Sequence, residues 1–138
     1  MATWAVDAFG NDYAQDWAED LGQTSNLEAV ENTLDMALDN AGETLDAPYA
    51  AEALVAIEVL ARLQGKGGER SEDSAPVDQW VDARKAKARV RSDLAEKAGR
   101  AIERILSEQS ELRELWVDSE HYADWRAAVE ELRGRIAA

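Results

Sequence analysis

The fold is decided by the stretch from Pro48 to Gln64, which reads PYAAEALVAIEVLARLQ. Its apolar side chains occupy every side of a helix rather than one stripe, and helices of that kind lie at the centre of a bundle. Pro48 suits a first helical turn, where its missing N–H is not needed. Val55, Ile57 and Val59 alternate as they would in a strand, but the length and alanine content of the stretch favour a helix. We therefore predict a central, apolar third helix.

Two amphipathic helices precede this stretch. Asn11 and Asp12 are good helix caps, and Asp12 with Gln15 approximates a capping box. A full capping box, Ser25 with Glu28, starts the second helix. Apolar residues three or four positions apart predict one buried face on each helix. The apolar stripes are Tyr13, Trp17 and Leu21 in the first helix and Leu27, Val30, Leu34, Ala37 and Leu38 in the second.

The second half of the chain is also helical in pattern. Residues 65–75 (GKGGERSEDSA) have the composition of a flexible surface loop. A short helix follows Pro76, and Ser110 caps a brief turn between two longer helices. The stripes of those longer helices are Val90, Leu94, Ala98, Ala101, Ile102, Ile105 and Leu106, then Tyr122, Trp125, Val129, Leu132 and Ile136. We predict an all-α, compact single domain over residues 1–138, with about five main helices and a flexible loop at 65–75.

Composition excludes several classes of protein. A chain of 138 residues with 46 % apolar residues can bury one core. The absence of cysteine excludes disulfides and thiolate metal sites. No signal-peptide pattern opens the chain, and the longest apolar stretch is interrupted by charges before it reaches the length of a membrane span. We therefore expect a cytoplasmic protein that does not contact membranes.

The negative charge is concentrated in the first half of the chain. Residues 1–65 carry 13 acidic residues and one basic residue, a net charge of −12, whereas residues 66–138 carry 16 and 14, a net charge of −2. Nucleic acid is not an expected partner, because phosphate binding requires clustered Lys and Arg. A basic protein is the natural complement, since opposite fields accelerate encounter. Acidity also serves solubility, and the sequence leaves that alternative open.

One helix face concentrates this charge. Glu28, Glu31, Asp35 and Asp39 follow one another at steps of three and four residues, opposite the leucines of the second helix. The three like-charge pairs cost roughly 1 kcal/mol in total, and no basic residue precedes Arg62. We interpret this acidic ridge, extended by Asp12 and Asp16 of the first helix, as a partner-binding surface. A solvated face without a partner is the alternative.

Catalytic and metal-binding patterns are absent from the sequence. The single histidine, His121, has no neighbouring ligands at metal-binding spacing, so we expect a surface or cap residue. Residues 65–68 (GKGG) lack the spacing of a phosphate loop. With one histidine and no cysteine, the usual nucleophile–base pairs are nearly excluded. We expect neither an enzyme nor a bound metal or cofactor.

Glu58 is an unusual residue on the apolar third helix. A buried carboxylate needs a charge partner or hydrogen bonds, and Arg62 at i+4 is suitably placed to provide them. An exposed ion pair at the helix edge is the favoured interpretation, and a functional buried acid is the other.

The opening residues 4–17 (WAVDAFGNDYAQDW), together with residues 110–116 (SELRELW), resemble a family of uncharacterised bacterial proteins designated DUF4259. The resemblance extends in outline over the whole chain, including Glu52 and Glu58, and is poor over residues 65–87. It implies that a signature is formed by Trp4, Phe9, Asn11, Asp12, Asp16 and Trp17. Ala5 and Gly10 depart from the family pattern, which has Gly and an acidic residue there. The resemblance implies no activity.

The leading functional hypothesis is a non-enzymatic, acidic protein-binding module. Its concrete form is an immunity-type inhibitor that neutralises a basic toxin or nuclease. The alternative is a small-ligand binder or a carboxylate-based enzyme that uses Asn11, Asp12, Asp16 and Trp17 together with Glu58. The sequence leaves the oligomeric state open.

Overall fold

The computed structural model describes residues 8–23, 27–39, 44–67, 72–84, 90 and 92–137. Within these residues the chain forms seven α-helices and no strand, so the all-α prediction is confirmed, whereas the prediction of about five main helices is not confirmed. The helices are α1 (Asp12–Leu21), α2 (Glu28–Asp39), α3 (Ala47–Leu63), α4 (Ala75–Arg84), α5 (Ser92–Ile105), α6 (Glu111–Val117) and α7 (Tyr122–Ala137).

Helix α3 packs against each of the other six helices. Nearly all of its side chains are buried, including Glu58 and Arg62, which are 8 % and 6 % exposed. Its alanines allow close approach of the neighbouring helices, because a methyl group keeps two helix axes near the short end of the usual 8–10 Å separation. Only Pro48, Tyr49 and Glu52 are partly exposed.

Helix α1 begins at a side-chain cap. The Asn11 carboxamide oxygen accepts a hydrogen bond of 2.9 Å from the Ala14 N–H. The predicted capping box of Asp12 with Gln15 is wrong, because Gln15 turns back and donates to the Phe9 carbonyl at 2.8 Å instead. The other predicted box starts at Ser25, which lies outside the described residues.

Helix α3 is capped from a distant part of the chain. Asp46 occupies the N-cap position but makes no side-chain capping bond. A Glu111 carboxylate oxygen accepts from the Ala47 N–H at 2.7 Å. Beside this contact, Leu45 and Ser110 form a single parallel bridge, in which the Leu45 N–H donates to Gln109 at 2.7 Å and the Leu45 carbonyl accepts from Glu111 at 2.9 Å. This junction ties the start of α3 to the start of α6.

Trp17 and Trp125, which lie on the predicted apolar stripes, are buried, and Trp116 is buried as well. Trp17, Trp116 and Trp125 are 8 %, 3 % and 2 % exposed. The rings of Trp116 and Trp125 stack with centroids 6.3 Å apart. Tyr13, predicted on the apolar stripe of the first helix, is 40 % exposed because it lies on the outward side of α1.

Candidate functional site

A buried network of ion pairs joins α3, α4 and α7. The Arg62 guanidinium donates through Nε to Asp78 Oδ1 at 2.7 Å and through Nη1 to Glu58. Arg135 donates to both oxygens of Glu58, at 3.1 and 3.0 Å. Ser74, which is fully buried just before α4, donates to Asp78 Oδ2 at 2.7 Å. The Glu58–Arg62 pair of α3 is therefore bound by Asp78 of α4 and by Arg135 of α7.

The residues around this network close it from solvent. The Arg62 guanidinium lies over the Phe9 ring, 4.9 Å from its centroid, in a cation–π contact. A Cβ added at Gly67 would lie 2.7 Å from Arg62 Cγ, so the chain can pass this close to the arginine only with glycine at that position. Arg135 also donates to the Lys66 carbonyl at 3.1 Å. The segment before α1 thus contacts Arg62 through Phe9. The segment after α3 contacts Arg62 and Arg135 through residues 66–67.

The network stabilises the packing of α3 against α4 and α7. Both oxygens of Glu58 and both oxygens of Asp78 accept hydrogen bonds from protein groups. The two carboxylates balance the two guanidiniums in charge. Burial lowers the pKa of Arg135, but hydrogen bonds to Glu58 and Glu131 outweigh it, so the pKa lies above its ordinary value. The Arg135 guanidinium is therefore charged at neutral pH.

The structure corrects the favoured interpretation of Glu58. Its predicted pairing with Arg62 is confirmed, but the pair is buried rather than exposed. The reason is that α4 and α7 cover this side of α3, bringing Asp78 and Arg135 to it. Sequence reasoning missed Ser74, Asp78 and Arg135.

The signature residues serve mainly to position α1. Phe9 and Asn11 hold the start of the helix, as described above. The Trp17 indole N–H donates to Thr33 Oγ1 of α2 at 2.8 Å, and Thr33 in turn donates to the Ala29 carbonyl. Gln15 donates to the Asp73 carbonyl at 3.1 Å, next to the buried network. Trp4 lies outside the described residues.

The residues of the small-ligand hypothesis lie in separate parts of the structure. Asn11 is engaged in a cap, Trp17 in the contact between α1 and α2, and Glu58 in the buried network. Asp12 and Asp16 are exposed on α1. The structure does not bring these five side chains together at one site.

The acidic ridge of α2 is partly neutralised. Lys97 of α5 donates to Asp35 at 2.8 Å and to Glu31 at 3.3 Å. The hydrogen bond to Asp35 is the main reason why the pKa of Lys97 is raised. Glu28 and Asp39, at the two ends of the ridge, are exposed. The premise that the ridge lacks compensation within the chain is therefore wrong for its two central carboxylates.

The outward side of α1 is a second acidic surface. Its carboxylates, which we call the α1 acidic face, are Asp12, Asp16, Glu19 and Asp20. All four are exposed, and none forms an ion pair with any residue in the described part of the chain. Tyr13 lies among them. Helix α1 has no basic residue in its last turn, so Glu19 and Asp20 lie beside the negative end of the helix dipole.

Other titratable residues offer no metal site. His121 is exposed, with its ring nitrogens 3.6 Å from Glu120 and 3.9 Å from Asp124. In the described ranges, no three His, Cys, Asp or Glu side chains come close enough to hold a metal ion. Every described helix is too short or too polar to cross a membrane.

The chain matches the family described as domain of unknown function (DUF4259) over residues 2–128, and it belongs to that family. Comparison with curated proteins and with solved structures gave no match. The family description carries no activity, so the function has to be inferred from the surfaces of this chain.

Proposed function

We propose that the protein is a non-enzymatic, acidic protein-binding module that docks a basic protein on the α1 acidic face. The observation that carries the proposal is the set of four exposed carboxylates on α1 without an ion-pair partner among the described residues. The ridge of α2 contributes at its exposed ends, Glu28 and Asp39.

The positions of these carboxylates suit a docking surface. Asp12, Asp16 and Glu19 follow at i, i+4 and i+7, so they lie along one side of the helix over about 10 Å. Tyr13 and Asp20 are also seven residues apart and form the adjoining row. An exposed tyrosine among charges is a common anchor in protein interfaces, because its ring buries a large area with little loss of side-chain freedom.

Helix α1 is held in a fixed orientation. Trp17 bonds to α2, and Gln15 bonds to the Phe9 and Asp73 carbonyls on the opposite side. Because these contacts fix the rotation of the helix, the carboxylates point outward before any partner arrives. A preformed surface loses less conformational entropy on binding than a mobile one.

The carboxylates at the end of α1 are unfavourable for stability. Glu19 and Asp20 oppose the helix dipole. Asp20 also adds to the effect of burial in raising the pKa of Glu52 on α3. Lysine at these positions would be more favourable for folding, so their acidity supports a role in binding.

An immunity-type inhibitor is the concrete form of this proposal. Such a protein neutralises a basic toxin or nuclease in the cytoplasm by covering its positive surface. Electrostatic attraction would mainly raise the association rate, and salt would reduce it as the Debye length falls from about 10 Å at 0.1 M to about 3 Å at 1 M.

The test compares two variants with the same net charge. One carries Asp16→Asn, Glu19→Gln and Asp20→Asn on α1. The matched control carries Glu114→Gln, Glu120→Gln and Glu130→Gln, which are exposed carboxylates of α6, α7 and the turn between them. Basic proteins captured from native lysate at low salt are then measured individually for association rate at several salt concentrations.

We expect the α1 variant to associate about tenfold more slowly than the wild type and the control to match the wild type. The control separates position from net charge, since both variants lose three negative charges. Equal rates for the two variants, or binding that does not respond to salt, would overturn the proposal. Charge reversal of Glu31 and Asp35 is unsuitable, because it would also break the contact with Lys97.

A further inference from the structure

An open cleft of about 420 Å³ lies between α5 and α7. Ala95, Gly99 and Ile136 form its apolar part, and Ile136 is 6 % exposed. Glu96, Arg100, Glu103 and Arg133 surround this part.

No contact with the described residues explains why position 99 is a glycine. It lies in the interior of α5, where glycine is among the weakest helix formers. A Cβ added there would have no heavy atom within 4 Å. Packing within the monomer therefore does not require a glycine. A second helix lying in the cleft would require one, because the missing side chain lets the two backbones approach closely.

The charges around the cleft are balanced, unlike those of the protein as a whole. Two glutamates and two arginines surround it, in a chain with a net charge of −14. Arg133 lies 3.6 Å from Glu103. Glu96 and Arg100, one helical turn apart and both exposed, form no ion pair with any other described residue.

We propose that this cleft is an interface between two copies of the chain, with α5 packed antiparallel against α5 of the second copy. In an antiparallel pair related by a two-fold axis, Glu96 lies opposite Arg100 of the second copy. The symmetry repeats the same contact with the roles reversed. Two identical ion pairs then form from groups that pair with no other residue in the described part of the chain.

The charge distribution favours a second copy over other occupants. A basic protein is attracted to the acidic first half, where residues 1–65 carry a net charge of −12. An acidic partner is repelled by the whole chain. Two copies repel each other at their acidic faces as well, so the balanced side with α5 and α7 is where they can approach. A surface with equal and alternating charges is complementary to itself.

The first test introduces bulk into the cleft. Gly99→Phe fills the space that the second helix would occupy, and Gly134→Phe is the matched control. Gly134 also lies inside a helix with open space around its Cβ, but it is not part of the cleft. Sedimentation velocity over a range of concentrations at 0.15 M salt should show self-association of the wild type and of Gly134→Phe, and a monomer for Gly99→Phe, whose far-ultraviolet circular dichroism spectrum should match that of the wild type.

The second test exchanges the charges. Glu96→Arg alone and Arg100→Glu alone place like charges opposite each other, so each should weaken self-association about tenfold or more. The double variant restores opposite charges and should recover the wild-type dissociation constant. A wild-type protein that stays monomeric at every concentration would refute the interface. So would a double variant no stronger than the single ones, or a Gly99→Phe protein that still self-associates.

Discussion

The buried network around Glu58 allows a quantitative prediction for Glu58→Gln. The substitution keeps the shape of the side chain but removes its charge. It also replaces one carboxylate oxygen by an NH₂ group, which then faces guanidinium donors of Arg62 or Arg135 at the present hydrogen-bond distances. Among the described carboxylates, buried Arg62 then keeps only Asp78, and partly buried Arg135 keeps only the exposed carboxylate of Glu131.

The expected loss follows from the burial of these groups. The Glu58 and Arg62 side chains are 10 % and 5 % exposed, and the Arg135 side chain is 17 % exposed. Removing one partner of a buried ion pair costs about 3–5 kcal/mol, because the remaining charge stays buried without compensation. A domain of this size has an unfolding free energy of about 5–15 kcal/mol, so the loss is a large fraction of it. The corresponding decrease in Tm is roughly 10–20 °C.

Thermal unfolding followed by circular dichroism at neutral pH measures this decrease. Glu130→Gln is the matched control, because Glu130 is exposed and lies 3.7 Å from Arg126, whose side chain is 41 % exposed. Surface pairs of this kind contribute little to stability, so the control should melt with the wild type. A Glu58→Gln protein that melts within about 2 °C of the wild type would show that the network does not hold α3, α4 and α7 together.

Three further substitutions test other parts of the structure. Trp125→Ala should lower the unfolding free energy by about 3–5 kcal/mol, measured by urea denaturation; an unchanged midpoint would exclude a core position. Asn11→Ala removes the cap on the Ala14 N–H and should lower the unfolding free energy by about 1 kcal/mol. Asn11→Asp keeps the acceptor, so this variant should unfold at the wild-type urea concentration. Burial and the nearby Asp20 raise the pKa of Glu52 in the folded state, so its ionised form destabilises the fold at neutral pH. Glu52→Gln should therefore raise the Tm at pH 7, and the gain should vanish below about pH 4, where Glu52 is protonated in both states; a gain that is constant with pH would exclude titration of Glu52 as its cause.

The all-α fold could be predicted because helices leave local patterns in the sequence. Trp125, Val129 and Leu132 recur at helical spacing, and all three are buried on α7. The sequence predicts a short helix after Pro76, where α4 lies, but only a brief turn where α6 lies. Short helices are marginal on their own and form because other parts of the chain pack on them. In α6, Leu112 and Trp116 are buried by such packing with distant parts of the chain.

The functional surfaces were harder to predict, because they depend on contacts between distant residues. The pairing of Glu58 with Arg62 spans one helical turn and was accessible from spacing. Arg135 lies 77 positions from Glu58, and Lys97 lies 62 positions from Asp35, so no local pattern reveals either contact. One signal was present in the sequence. Residues 1–65 contain 13 acidic residues and a single basic residue, Arg62, so Arg62 is the basic residue of this half that could pair with a buried carboxylate.

The junction between Leu45 and Ser110 has a consequence for how the protein opens. The first turn of α3 depends on Glu111, which accepts from the Ala47 N–H across 64 positions of sequence. Fraying of α3 at this end breaks a contact with the residue that also starts α6. We therefore expect the Ala47 amide hydrogen to exchange with solvent more slowly than an uncapped first-turn amide, and Glu111→Ala should speed its exchange. The start of the most buried helix is thus protected by a seven-residue helix from the other half of the chain.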